Sequence, residues 1–390
     1  MAAFYGTDLN DHFSGELGAV NTIFGNAGND DIYGGVLKDY MYGGEGDDFV
    51  YADDGGDFIE DVSGNNVIYA GPGDDDVRVN FNGLGLAATN DINLGAGDDI
   101  VSAGGQKDRI YGWLGEDEVG YSSSPGGVTV NLLTGKGSGG WAEGDTYFFV
   151  ENVYGSFGDD VLIGNGAYNV LWGVDGDDRI QGRSGGDYLY GGAGVDTLDY
   201  LDSVAGVQID LAAGTAAGGS AQDDQIFDFE NVWGSAFADS LSGDDGANAL
   251  SGFAGADLLN GQGGDDILSG GSGRDVLDGG AGVDTADYSD KTAAVAVTLN
   301  GAANATVRVG GVAEDVIRNI ENVIGGEGAD TLRGDNLANA LSGGGGDDVL
   351  RCFGGCDSMG RRRGRGHDPQ HRECDRRRGR RLALRRRPRE

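Results

Sequence analysis

Residues 25–78 read GNAGNDDIY, GGVLKDYMY, GGEGDDFVY, ADDGGDFIE, DVSGNNVIY and AGPGDDDVR, six consecutive windows of nine. Position six is Asp or Asn in each, and position eight is Ile, Met or Val. A short fixed period of this kind overrides any reading by separate elements. Carried outward, the register fits 25 windows, at 16–78, 85–120, 155–199, 234–287 and 325–351. Position six is Asp in nineteen of them and Asn in six, and position eight is a large apolar residue everywhere except Ala286. Position four is Gly in eighteen windows, which suits a chain that turns through positive φ before each strand.

The pattern specifies six-residue turns alternating with three-residue strands, the middle side chain of each strand pointing inward and its neighbours out. The expected fold is all-β, a parallel β-roll or β-solenoid of stacked nonapeptide coils with longer-strand coils interspersed. Two windows complete a circuit, so side chains 18 apart stack. Asp30, Asp48 and Asn66 then form one row and Asp39, Asp57 and Asp75 the opposite one, with Ile32, Val50 and Ile68 in the core. Each core residue contributes roughly 1.5–3 kcal/mol on burial, too little for a single circuit to stand alone.

A longer unit interrupts the windows three times. It begins YSSSPGGVTVNL at Tyr121, YLDSVAGVQIDL at Tyr200 and YSDKTAAVAVTL at Tyr288, and ends in Glu-Asn-Val at Glu151, Glu230 and Glu321. Its period-two apolar alternation marks a longer half-buried strand. Asp145, Asp224 and Asp315 each precede that Glu by six residues. Successive tyrosines are 79 and 88 residues apart, a difference of one nonapeptide, so the modules grow by whole coils. The expected organisation is an N-terminal roll block 1–120, repeat modules 121–199, 200–287 and 288–351, and an aberrant Arg-rich tail 352–390 without order.

The chain carries 65 acidic and 27 basic side chains, formally -38. That figure averages two unlike parts. Residues 1–350 hold 60 acidic and 12 basic side chains, net -48, and residues 351–390 hold 5 and 15, net +10. Cys352, Cys356, Cys374, His367 and His371 all lie in the tail, leaving His12 alone in the body. Cysteine or histidine nucleophilic catalysis and zinc hydrolysis lack their residues there. Repeats that begin near residue 6 leave no room for a catalytic domain, so the chain is expected not to be an enzyme. No apolar run approaches the ~18 residues of a membrane span, and a polyanionic body opposes nucleic acid. The start, MAAFYGTDLNDHFSGEL, has neither the basic nor the apolar region of a secretory signal.

Stacked aspartates repel one another, and a chain of this charge with few apolar residues stays expanded. A cation must neutralise the rows. Carboxylates beside glycine-rich turns, whose carbonyls are accessible, offer the six to eight oxygen ligands in flexible geometry that calcium takes, whereas magnesium demands a stricter octahedron. The body has no soft ligands for zinc or copper.

Windows such as GGEGDDFVY, GGSGRDVLD and GGAGVDTLD match GGxGxDxUx, and in this the chain resembles the repeat-in-toxin (RTX, haemolysin-type) calcium-binding family. The resemblance spans roughly residues 6–351 in many tandem copies. It implies a parallel β-roll holding multiple Ca2+ ions between turns through the position-six Asp and glycine-region carbonyls. It also implies a secreted, extracellular bacterial protein, exported by a one-step exporter that reads a C-terminal signal. The ligands so implied are Asp30, Asp48, Asp57, Asp75, Asp99, Asp117, Asp160, Asp178, Asp187, Asp196, Asp257, Asp266, Asp275, Asp284, Asp330 and Asp348, each in a window that keeps Gly at position four. Four Asn windows lose that glycine as well, Asn21 with Ala19, Asn90 with Ala88, Asn169 with Ala167 and Asn339 with Leu337. These coils are expected to hold no ion.

Outward positions of the first block form an aromatic ladder that includes Tyr33, Phe49, Tyr51 and Tyr69. Simple cross-coil stacking explains it; a surface for glycan or a protein partner is the alternative. Recurrence of Glu151, Glu230 and Glu321 at equivalent places favours a structural role over glycosidase chemistry. The isolated GxSxG match at Gly182–Gly186 falls inside a repeat turn with no histidine partner nearby in sequence. Three functional readings follow: calcium binding with calcium-dependent folding, the C-terminal repeat region of a secreted protease or lipase, and an adhesin or surface-layer segment.

In the tail, Cys352, Cys356, His367 and His371 are spaced C-x3-C-x10-H-x3-H, near a zinc-finger pattern but without the apolar residues that pack one. The tail does not resemble a secretion signal, which counts against export of this product. Its abrupt change from Gly and Ala to Arg after Leu350 is what a shifted frame through GC-rich repeat DNA produces. Translating the gene in its other two frames is expected to recover nonapeptides after Leu350; if neither frame does, the tail is the native one.

Overall fold

A computed structural model describes residues 2–79 and 88–351, together with the backbone of 356–359. The zinc spacing and the frame shift therefore fall outside the described side chains. Two compact units divide the chain, 1–284 and 285–390. The modules that begin at Tyr121 and Tyr200 lie in the first unit, and the one that begins at Tyr288 lies in the second.

In the first unit short strands alternate between two parallel sheets, so each strand pairs with the next but one in sequence. Asn21–Ala27, Tyr40–Glu45, Phe58–Asp61 and Asp76–Val79 follow one another in one sheet. His12–Ser14, Asp31–Tyr33, Phe49–Tyr51 and Val67–Pro72 follow in the other. The register is the expected 18, with Ile32 opposite Val50 and Val50 opposite Ile68. Position-eight side chains fill the space between the sheets, Ile23, Met41, Ile59 and Val77 from one and Ile32, Val50 and Ile68 from the other, all fully buried. After Arg78 the step lengthens to 24, pairing Ile68 with Ile92 and Val77 with Val101. The six extra residues leave every position-eight side chain facing the core.

The long units add a feature that the alternation did not reveal. In the first, Thr129–Asn131 lies parallel to Val161–Ile163 but antiparallel to Lys136–Ser138. Gln208–Asp210 and Thr215–Ala217 repeat the hairpin in the second. The turn ends on Gly135 at φ 63° and Gly214 at φ 64°, a conformation that glycine adopts without strain. In the second compact unit the corresponding strands are longer, Val295–Thr298, Ala305–Val309 and Val312–Arg318.

Position-four glycines serve two ends. Gly97 has φ 143°, and a Cβ added to it would overlap the carbonyl oxygen of Gly73, its counterpart one circuit earlier. Both the turn and the stacking of turns forbid a side chain there. Gly97→Ala is expected to lower the stability of the calcium-saturated protein by about 1–3 kcal/mol, read as a fall in thermal midpoint. Gly126→Ala, where an added Cβ meets nothing within 4 Å, should leave that midpoint within error.

Candidate metal centre

Each position-six carboxylate uses its two oxygens differently. Oδ1 accepts the backbone N–H of the position-six residue one circuit earlier: Asp30 donates to Asp48 at 2.8 Å, Asp57 to Asp75 at 2.6 Å, Asp75 to Asp99 at 2.8 Å and Asp99 to Asp117 at 3.1 Å. Asparagine serves as well, since Asp48 N–H donates to Asn66 Oδ1 at 2.9 Å. These bonds build a ladder up each row and satisfy backbone groups that the turns would otherwise leave unpaired.

Oδ2 divides the turns into two kinds. In the closed kind it accepts the N–H of position two of its own window, as an Asx turn does. Gly35 donates in this way to Asp39 at 2.6 Å, Ser156 to Asp160 at 2.6 Å, Ser235 to Asp239 at 2.6 Å and Gly326 to Asp330 at 2.9 Å. Asn169, Asn248 and Asn339 close their turns through Oδ1, at 2.8, 2.8 and 2.9 Å. In the open kind Oδ2 is buried and has no hydrogen-bond partner, as at Asp30, Asp48, Asp57, Asp75, Asp99, Asp117, Asp178, Asp187, Asp196 and Asp266. Position-four glycine has positive φ in all ten of these windows.

The long units keep the ladder with other residues. Asp145 Oδ1 accepts the Asp108 N–H at 2.8 Å, and Glu151 Oε2 that of Asp117 at 3.1 Å. Asp224 and Glu230 do the same for Asp187 and Asp196, both at 2.8 Å. Here the second Asp oxygen is closed by a tyrosine hydroxyl, Tyr121 to Asp145 at 2.7 Å and Tyr200 to Asp224 at 2.9 Å. The recurring Tyr, Asp and Glu thus hold structural places in the two rows.

The structure therefore separates the sixteen expected ligands. Ten have an open oxygen. Asp160 and Asp330 are closed by backbone donors despite keeping Gly158 and Gly328. Asp257, Asp275 and Asp284 continue the ladder through Oδ1, and Asp348 Oδ1 accepts the Asp330 N–H at 2.9 Å. Two further buried carboxylates, Asp61 and Asp108, have an Oδ2 without a donor in good geometry, although the Gly104 N–H at position two and the Asn90 amide also act on Asp108. Asp108 lies in a window with Gln106 at position four, and Asp61 stands at position one.

Position-one glycine makes a niche at the open oxygen. A Cβ added to Gly25 would touch both Asp30 Oδ2 and the carbonyl oxygen of Gly43. Gly173 sits in the same way beside Asp178 Oδ2 and the Gly191 carbonyl, and Gly261 beside Asp266 Oδ2 and the Gly279 carbonyl. Among the described residues no three His, Cys, Asp or Glu side chains converge, so the donors are single carboxylates beside backbone carbonyls, arranged in rows. Such hard oxygen donors fit calcium and offer nothing to a thiolate- or imidazole-binding metal.

Burial raises the acids of the open turns. Asp57 is pushed up to about 8; Asp99, Asp117, Asp178, Asp187 and Asp266 to about 7; and Asp48, Asp75 and Asp196 to about 6. Asp160 is raised too, but the Val128 and Ser156 N–H groups hold it back.

The aromatic ladder stacks from coil to coil. Tyr33 lies 5.8 Å from Phe49 and 6.3 Å from Tyr51 between ring centroids, and Tyr51 lies 6.2 Å from Tyr69. A second ladder climbs through Tyr154, Trp172, Tyr190 and Phe227, its closest pair 3.8 Å apart. Among the described residues no helix is long and apolar enough to cross a membrane.

The family model of the RTX calcium-binding nonapeptide repeat matches residues 5–39, 38–59, 51–80, 84–119, 150–173, 172–201, 229–252, 251–286 and 320–351, more than half of the chain. Repeats of this family bind calcium and are structural rather than catalytic. No curated protein matches the chain.

The raised acids fix a direction for pH. A carboxyl whose folded value lies above its unfolded value, near 4, contributes stability that is complete below about pH 4 and is lost as pH rises through the folded value. Chelator-treated protein is expected to gain β-type circular dichroism on acidification from pH 8 to about 4, its stability accumulating across that whole window. Calcium added at pH 7 should release protons, measurable in a pH-stat.

Proposed function

We propose that this chain, which belongs to the RTX calcium-binding nonapeptide repeat family, folds when calcium fills its open turns and acts outside the cell, where calcium is plentiful. The observation that carries this reading is the set of ten buried aspartate oxygens without a partner. An ionised carboxylate so placed is strongly destabilising unless a cation meets it, and the body at net -48 supplies few cations of its own.

Magnitudes support a switch. A ligand that binds only the folded state adds RT ln(1 + [L]/Kd), about 2.7 kcal/mol at a hundredfold excess over Kd. Three such ions contribute about 8 kcal/mol, comparable with the roughly 5–15 kcal/mol that stabilises a whole domain. Where calcium is scarce the chain stays open, a form suited to passage through an exporter. Where calcium is abundant it closes into the roll. The role is binding and structural, with no reaction catalysed by the repeats.

A calcium titration followed by circular dichroism is expected to show β signal rising cooperatively and reversing with EDTA; a β signal indifferent to EDTA at neutral pH rules the reading out. The two kinds of turn give a sharper test. Asp99→Asn keeps an oxygen for the Asp75 N–H but removes the charge, and should lower the number of bound ions and move the titration midpoint to higher calcium. Asp160→Asn, in a closed turn, should leave the number of ions unchanged in equilibrium dialysis.

A further inference from the structure

Asp61 is the one aspartate at position one among the 25 windows, and its own window has Asn66 rather than Asp at position six. The carboxylate has moved within the coil. Asp61 is fully buried and Asp48, in the neighbouring coil of the row, is 2% exposed. A Cβ added to Gly43 would touch Oδ2 of both, and the two buried carboxyls lie close enough to share a proton while their Oδ2 atoms receive no backbone or hydroxyl donor. Where the niches at Gly25, Gly173 and Gly261 bring together a carboxylate oxygen and a backbone carbonyl, the niche at Gly43 brings together two carboxylate oxygens.

Their other oxygens are committed. Asp48 Oδ1 accepts the Asp30 N–H at 2.8 Å, and Asp61 Oδ1 accepts the Ser63 N–H at 3.3 Å. On the far side of Asp61 its strand partner is the apolar Val79. Among the described ion pairs none includes Asp48 or Asp61. Two carboxylates removed from water and aimed at one point share a proton or hold a cation between them, and both oxygens face the niche where a cation would sit.

We propose that Asp48 and Asp61 form a two-carboxylate site for one hard divalent cation of the calcium class, in the open turn of Asp48, with Asp61 supplied by the next coil of the row. The site rests on the calcium-binding reading above and differs from the repeat's own arrangement in that a position-one side chain replaces a backbone carbonyl. Asn66 keeps the ladder by accepting the Asp48 N–H at 2.9 Å, and Asp61 carries the charge that Asn66 lacks.

Native mass spectrometry of the full chain across a calcium titration counts ions one by one. Asp61→Gly restores the glycine that most coils have at this place, and Asp61→Asn keeps the size of the side chain. Both leave Asp48 its own turn but remove the second carboxylate, and both are expected to take up one ion only at higher calcium than the parent while keeping its β-type circular dichroism. An unchanged titration in both variants overturns the two-carboxylate site and leaves the general reading intact. Loss of all ions together with the β signal in both variants also overturns it, by making Asp61 a folding residue. A parent chain that holds no calcium defeats both.

Discussion

Everything in the roll hangs on the division of labour within one carboxylate. Oδ1 of the position-six aspartate takes a backbone N–H from the coil before it, and so ties successive coils together at the edge of each strand. That bond works with a neutral amide, as Asn66 and Asn90 demonstrate, and therefore does not explain why the residue is so often Asp. The surplus is Oδ2. In ten windows it is buried, charged when ionised and unanswered by a backbone or hydroxyl donor, which on the calcium-binding reading makes the folded chain contingent on something from outside.

Closed turns show what the same backbone does without that contingency. At Asp39, Asp160, Asp239 and Asp330 the position-two N–H turns inward and satisfies Oδ2, and Asn occupies the equivalent place at 169, 248 and 339. Such turns stand without a cation. Asp160, Asp239 and Asp330 follow directly on the long units, and before the first two the ladder passes through Asp145 and Glu151 or Asp224 and Glu230. Closed turns thus alternate with open ones along the chain.

Much of this was legible in the sequence, because a period of nine fixes both which side chain points inward and which ones stack. Position eight forms the core, and positive φ falls on position-four glycine at Gly46, Gly73 and Gly97. The exceptions have local causes. Gly158 and Gly328 keep the consensus letter, yet their turns close because Ser156 and Gly326 lend their N–H groups to Oδ2, an orientation that the letter at position four does not encode. Asp108 has Gln106 rather than glycine at position four, yet the coils around it bury it completely. The hairpins after Asn131 and Asp210 hid because an alternating strand looks the same whether its next neighbour is parallel or antiparallel. Asp61 departs from the repeat at position one, but only the stacking, which places residue 61 on residue 43, brings its oxygen to Asp48 over Gly43.

The tyrosines of the long units complete the logic. Asp145 and Asp224 stand in the same rows as the ligand candidates and make the same Oδ1 bond, so each would present one more unsatisfied oxygen. Tyr121 and Tyr200, both fully buried, place a hydroxyl on that oxygen at 2.7 and 2.9 Å. Burial still raises Asp145 to about 8 and Asp224 to about 6, so the hydroxyl fills the acceptor without removing the cost of its charge, whereas an open turn offers a carbonyl or, at Gly43, another carboxylate. Tyrosine hydroxyl, backbone N–H or an open oxygen is chosen coil by coil, and on the calcium-binding reading proposed above that choice separates the coils that await an ion from those that do not.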